Sequence, residues 1–248
     1  MVPGQAGAHD QAADLEQRTV KAMILAAGLG ERMRPLTDHT PKPLLQVAGA
    51  PLIEYHLRQL SAAQIDEVVI NVSHLAQQIV DFCGDGSHWG LTLHYSHEPE
   101  PLETAGGIQQ ALPLLGDAPF LVVNGDIWID YPFTQLHAYQ MRDHEQAHLV
   151  MVDNPGHHPL GDFCLDAEGL LQFRPEQEQG FTYSGLGLYR PGFFADLVPG
   201  KLALRPLLDQ AIARGCLGGE YHAGHWEDVG TPERLAALDQ AVRVASGD

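Results

Sequence analysis

The chain has 248 residues, and its 14 Lys and Arg stand against 32 Asp and Glu, for a formal charge of −18. A surface that acidic repels a phosphate backbone, which argues against a nucleic-acid partner. No apolar run reaches the roughly 20 residues needed to cross a bilayer, which argues against a membrane-spanning role.

Residues 1–20 are small, polar and acidic and lack the basic and apolar regions of a signal peptide. They read as a disordered extension, and residues 21–248 as a single domain. Three cysteines far apart, with no C-x-x-C spacing, suit a reducing compartment, so the protein is expected in the cytoplasm. Residues 21–27 (KAMILAA) predict a strand buried on both faces. Residues 51–63 have helical periodicity with Pro in the first turn. Residues 67–72 (EVVINV) predict the next strand, 74–83 a helix, 91–96 a strand and 104–115 a helix. Residues 120–124 (FLVVN) and 148–152 predict two more buried strands.

This alternation predicts right-handed βαβ units: an α/β fold with a Rossmann-like, mainly parallel sheet and helices on both faces. Between residues 160 and 190 the short pieces GDFCLD, LLQF and TYSGLGLY are broken by Gly, Pro and a Glu/Gln-rich loop. That stretch reads as a small antiparallel excursion beside the cleft. Residues 201–214 and 231–245 predict closing helices. Ligands of such sheets bind beyond the carboxyl ends of the strands, so the chemistry is expected just after residues 27, 124 and 152.

The segment LAAGLGERMRPLT (25–37) carries Gly28 and Gly30, whose freedom at positive φ lets backbone N–H groups converge on an anion. It is not a Walker A loop, which needs Lys-Ser or Lys-Thr after the glycines, nor a dinucleotide fingerprint, which needs glycine where Met33 stands. Lys42 lies between two prolines that hold the backbone extended, as a fixed phosphate contact requires. Asp126 follows Asn124 and Gly125 at the end of a buried strand, and Asp228 precedes another glycine turn in HWEDVGT. Two aspartates from distant segments can share one Mg²⁺ that takes its other ligands from phosphates and water. The adjacent His157 and His158 lack the Cys or carboxylate spacing of a zinc site.

In this order, L-A-A-G-x-G-x-R-x-x-P-L-T, P-K-P-L, N-G-D and W-x-D-V-G-T resemble the nucleotidyltransferases that make nucleotide sugars. The match runs from residue 21 to about residue 240. The resemblance implies a GT-A-like fold and an attack of a sugar 1-phosphate on the α-phosphorus of a nucleoside triphosphate. Mg²⁺ is the implied cofactor and the two substrates are the implied partners. Ala26, Ala27, Gly28, Gly30, Glu31, Gly106 and Asn124 are then expected to hold the nucleotide. Arg32 and Lys42 are the expected catalytic cations, Arg32 toward the leaving pyrophosphate and Lys42 toward the α-phosphate. Asp126 and Asp228 would bind the metal, and Asn154, Gly161 and Glu176 the sugar phosphate.

One departure stands out. Many relatives grip the sugar phosphate with a Glu-Lys-Pro triplet, but this chain reads Arg174-Pro175-Glu176-Gln177, which leaves Arg174, Lys201 or Arg205 as substitutes. His157 and His158 are expected in the loop rimming the sugar pocket. Residues 102–108, 152–163, 181–185 and 201–208 are similar to the branch of the family that uses UTP in bacterial cell-wall recycling. Guanylyl transfer to mannose 1-phosphate and thymidylyl transfer to glucose 1-phosphate are the alternatives within the family. A non-catalytic regulator that binds nucleotide sugars is the alternative outside catalysis, and the retained Arg32, Lys42, Asp126 and Asp228 argue against it.

Overall fold

In the computed structural model residues 20–247 are described, so the extension expected over residues 1–20 lies outside them apart from Val20. Seven strands form the main sheet: β1 (Ala22–Leu25), β2 (Glu67–Val72), β3 (Thr92–His97), β4 (Phe120–Asn124), β5 (Ala147–Val152), β6 (Thr182–Tyr189) and β7 (Leu217–His222). Their order is β7-β5-β6-β4-β1-β2-β3. β1 lies parallel between β2 and β4, and β3 continues parallel beyond β2. Only β6 runs the other way, antiparallel to both β4 and β5, while β7 is parallel to β5. This is the expected α/β fold with a mainly parallel sheet.

The helices are α1 (Leu52–Ala62), α2 (Ala76–Cys83), α3 (Glu103–Leu115), α4 (Phe133–Ala138), α5 (Arg205–Ala213) and α6 (Pro232–Ser246). Because strand side chains alternate, Ile24, Ile70 and Val123 pack with Leu57 of α1 and Ile79 of α2. Their neighbours Met23, Val69 and Val122 pack on the other face with Ile108 of α3 and Leu208 of α5. Both faces are therefore covered, which is why these strands read as continuous apolar runs. A third cluster joins Leu238 and Val242 of α6 to Met33, Leu45 and Leu52. It fastens the C-terminal helix to the segment that follows β1.

The structure departs from the sequence expectation in three places. TYSGLGLY is not part of the side excursion but is β6, inside the main sheet. Its glycines disguised a strand that is buried along nearly its whole length, and an added Cβ at Gly187 would lie 2.9 Å from the His148 carbonyl. The excursion itself reduces to a hairpin of Phe163–Leu165 with Leu171–Phe173. β7 went unread because Gly218 and Gly219 break its pattern, and the helix expected from residue 201 starts only at Arg205. Leu202 instead exchanges backbone hydrogen bonds with the start of α3, donating to Leu102 and accepting from Ala105 and Gly106.

Candidate active site

The chain leaves β1 at Leu25, and the next amide, of Ala26, donates to Asn71 Oδ1 at 2.7 Å. Asn71 Nδ2 donates in turn to Glu98 Oε1 at 2.7 Å, and Glu98 Oε2 accepts the Leu102 amide at 2.9 Å. Asn71 and Glu98 are only 3% and 4% exposed. A buried carboxylate persists only when hydrogen-bonded, and this one ties the ends of three parallel strands to the entry of α3. Sequence reading missed both residues. The available signal was a polar side chain at the carboxyl end of an apolar strand.

The two glycines of the loop after β1 differ in kind. Gly30 is left-handed at φ +65°, and a Cβ there would lie 2.9 Å from Thr37 Cγ2. Its carbonyl accepts from Thr37 Oγ1 and from the Met33 amide, so the fold needs this glycine. Gly28 has no such reason, because nothing lies within 4 Å of a Cβ placed there. Its exposed backbone faces open space on the cleft, which suits close approach of a ligand.

Gly125 brings Asp126 to the same place. Its amide donates to the Leu25 carbonyl at 2.9 Å, and a Cβ would crowd that carbonyl at 2.7 Å. Lys42, held in a short helical turn between Pro41 and Leu45, reaches Asp126 Oδ2 at 2.5 Å with 11% of its side chain exposed. The ribbon of Ile127–Ile129 with Trp226–Asp228 sets Asp228 opposite Ile127, and the Val229 amide donates to the Asp126 carbonyl at 2.9 Å. The backbones of Asp126 and Asp228 thus come together from distant parts of the chain. Asp228 Oδ1 is ion-paired with Arg234, and His157 Nε2 lies 3.0 Å away.

Among the described residues no three His, Cys, Asp or Glu side chains form a ready-made metal cage. Two partly exposed carboxylates on adjoining backbone fit a hard cation that takes its remaining ligands from phosphate and water, the habit of Mg²⁺.

A cleft of about 200 Å³ opens over this cluster, lined by Ala26, Ala27, Gly28, Lys42, Asn124 and Asp126 among others. Through Glu103, Thr104 and Asn124 it continues into a second cleft walled by Asp162, Tyr183 and Arg205. Glu103, the first residue of α3, is left-handed at φ +60° without being glycine, a strained conformation of the kind that gathers at ligand sites.

The remaining candidates fall into two groups. Glu31 and Arg32 lie exposed on the turn after Gly30. Gly106 points away from the cleft: its amide donates to the Leu202 carbonyl, and a Cβ would collide with the Gly200 carbonyl at 2.2 Å. It serves the crossing of α3 with residues 200–202. Asn154 uses both ends of its amide within the protein, donating to the Gly180 carbonyl at 2.8 Å and accepting from Thr182 Oγ1 at 2.8 Å. Gly161, at φ +71°, packs against Asn154 and the Phe181 backbone. Glu176 is exposed and lines none of these clefts.

The three candidate substitutes also separate. Arg174 Nη1 gathers the carbonyls of Pro175, Glu176 and Glu178. Lys201 is exposed, 3.7 Å from Glu103. Arg205 sits on the second cleft over the Phe163 ring, paired with Asp209 at 2.8 Å and Asp162 at 3.5 Å.

The sequence pattern of the family described as Nucleotidyl transferase matches residues 21–243. The chain belongs to the nucleotidyl transferase family. This nucleotidyltransferase is 51% identical over 220 residues to the N-acetylmuramate alpha-1-phosphate uridylyltransferase of Neisseria meningitidis serogroup B, covering 87% of this chain and 95% of the relative. It is 36% identical over 235 residues to the enzyme of the same name from Caulobacter vibrioides, covering 90% and 97%. Its fold matches that of a Bacillus anthracis protein assigned as a glucose-1-phosphate thymidylyltransferase, with a TM-score of 0.79 and 22% identity. That match covers 90% of this nucleotidyltransferase and 95% of the solved chain.

Proposed function

We propose that this nucleotidyltransferase transfers a uridylyl group from UTP to N-acetylmuramic acid 1-phosphate, releasing pyrophosphate, as a cytoplasmic step of peptidoglycan recycling. The observation that carries the reading is the 51% identity to a uridylyltransferase of that sugar phosphate over nearly the whole of both chains. The meeting of Gly28, Lys42 and Asp126 around one cleft, with the backbone next to Asp228 bonded to that of Asp126, supports it.

The nucleophile in this reaction is a phosphate oxygen that is already anionic, so no general base is needed. Catalysis is then positioning and charge neutralisation. In this reading the backbone around Ala26 and Gly28 receives the triphosphate, and Asn71 and Glu98 hold that backbone in place. Lys42 neutralises the α-phosphate and Arg32 the departing pyrophosphate. Asp126 and Asp228 hold Mg²⁺, which when bound offsets charge on the triphosphate.

The test is pyrophosphate release in Mg²⁺ over UTP, dTTP and GTP crossed with the 1-phosphates of N-acetylmuramic acid, N-acetylglucosamine, glucose and mannose. The expected outcome is turnover confined to UTP with N-acetylmuramic acid 1-phosphate. Preferential turnover of any other pair replaces the substrate assignment.

A further inference from the structure

We propose that Arg205 recognises the lactyl carboxylate of the acceptor, the group that distinguishes N-acetylmuramic acid 1-phosphate from N-acetylglucosamine 1-phosphate. This deepens the functional reading above and rests on it.

The lactyl ether puts a methyl and a carboxylate on one carbon. A chain of net charge −18 repels that extra anion, so an acceptor cleft that admits it needs a cation of its own. Of the residues lining the two connected clefts only Lys42 and Arg205 are cationic, and Lys42 is engaged by Asp126. Arg205 lies in the second cleft, which opens to the first through Glu103, Thr104 and Asn124. The carboxylates of Glu103 and Asp162 also line it. They can accept from sugar hydroxyls but have nothing to donate to a further carboxylate.

The helix that carries Arg205 does not account for it. Arg205 opens α5, where a cation opposes the helix macrodipole. Its pair with Asp209 puts the acid on the C-terminal side, the less favourable order. Its Cζ lies 4.6 Å from the centroid of the buried Phe163 ring, which steadies the guanidinium on the cleft wall. Nε donates to Asp209 at 2.8 Å, while Nη1 reaches Asp162 only at 3.5 Å. Asp162 has other partners, since Oδ2 accepts the Tyr183 amide at 2.9 Å and Oδ1 has His158 Nε2 at 3.3 Å. Arg205 Nη2 has no hydrogen-bond partner among the described residues, and 53% of the side chain is exposed. The arginine therefore keeps donors free for a carboxylate. Buried Phe163, Leu204 and Leu208 give the same cleft an apolar wall, suited to the lactyl methyl.

The experiment crosses the enzyme with the acceptor. Wild type, Arg205→Gln and Arg205→Lys, each checked for folding by thermal melting, are compared on N-acetylmuramic acid 1-phosphate and on its lactyl methyl ester. Steady-state kinetics are paired with calorimetric binding to enzyme holding Mg²⁺ and a non-hydrolysable UTP analogue. Losing a charge-assisted contact should raise acceptor KM and Kd about tenfold or more in Arg205→Gln. Esterification should cost the wild type as much, yet change Kd in Arg205→Gln by less than about twofold. KM for UTP should stay within about twofold, and Arg205→Lys should recover part of the loss. The same esterification penalty in wild type and Arg205→Gln would overturn the assignment, because an arginine that only shapes the cleft does not sense the carboxylate. So would an esterification penalty under about twofold in the wild type. A wild type that neither binds nor turns over the free acid is a failure of the functional reading. Normal wild-type turnover with equal esterification penalties is a failure of this inference alone.

Discussion

Asn71 accepts the amide hydrogen of Ala26 at 2.7 Å, so the first residue of the loop after β1 hangs from the neighbouring strand and not from its own. The loop's shape therefore depends on a side chain supplied by β2. Replacing Asn71 with Leu leaves the Ala26 amide and the buried Glu98 carboxylate without their partner. The expected cost is about 3 kcal/mol of folding stability, since each buried unsatisfied group is worth roughly 1–3 kcal/mol. Urea unfolding measures it, and a rise in KM for UTP should accompany it.

The two glycines of the loop should part company. Gly30→Ala forces a left-handed alanine against Thr37 and should lose about 1–2 kcal/mol of stability. Gly28→Ala should leave stability within about 0.5 kcal/mol, as for an unobstructed surface change. Its effect should fall on UTP affinity. A destabilised Gly28→Ala with normal UTP binding would reverse the roles given to them.

Asp126→Asn and Asp228→Asn should each lower kcat by about 10² or more, the scale of losing a preorganised electrostatic group. Both side chains are partly exposed, so melting temperatures should hold. Full turnover of either variant in a metal chelator would contradict the shared cation site.

These aspartates show how far the sequence was legible. Asp126 follows a glycine and Asp228 stands two residues before one, and their order along the chain resembles one family, so sequence alone singled out two residues whose backbones the structure joins. Gly106 and Asn154 were named for substrate; in the structure Gly106 bonds the Leu202 carbonyl, and Asn154 the Gly180 carbonyl and the Thr182 hydroxyl. Sequence pattern locates a conformationally demanding residue but does not say whether a ligand or another piece of chain makes the demand. Asn71 and Glu98 went unnamed for the converse reason. Their partners lie 45 and 27 residues away, and only tertiary structure joins them.

A buried ionic group at the start of β5 should shape the pH dependence of stability. His148 Nδ1 is 2.8 Å from Glu145, and its Nε2 is 3.7 Å from Glu220. Burial favours the neutral form of all three, yet their mutual pairing outweighs it. The His148 pKa is raised above its usual 6.5, and those of Glu145 and Glu220 are lowered below their usual 4.5. The raised histidine contributes stability in full below pH 6.5, lost as pH climbs through its folded value. The lowered glutamates contribute in full above pH 4.5, lost as pH falls through theirs. The pairing is thus complete between those limits. Thermal melts across pH 5 to 9 should show a wild-type decline above pH 6.5 that is shallower in His148→Gln, and equal slopes would refute it.

The single reversed strand, β6, has a consequence for how this enzyme can change. Val152 at the end of β5 and Thr182 at the start of β6 are direct cross-strand partners, so residues 153–181 begin and end about 5 Å apart whatever their length. Insertions and deletions in the loops of that span leave the register of the sheet untouched so long as Phe163 and Leu171 keep their places in the core. That span is in effect a cassette clipped to a fixed frame, free to vary without rebuilding the strands that position Gly28, Asn71 and Asp126.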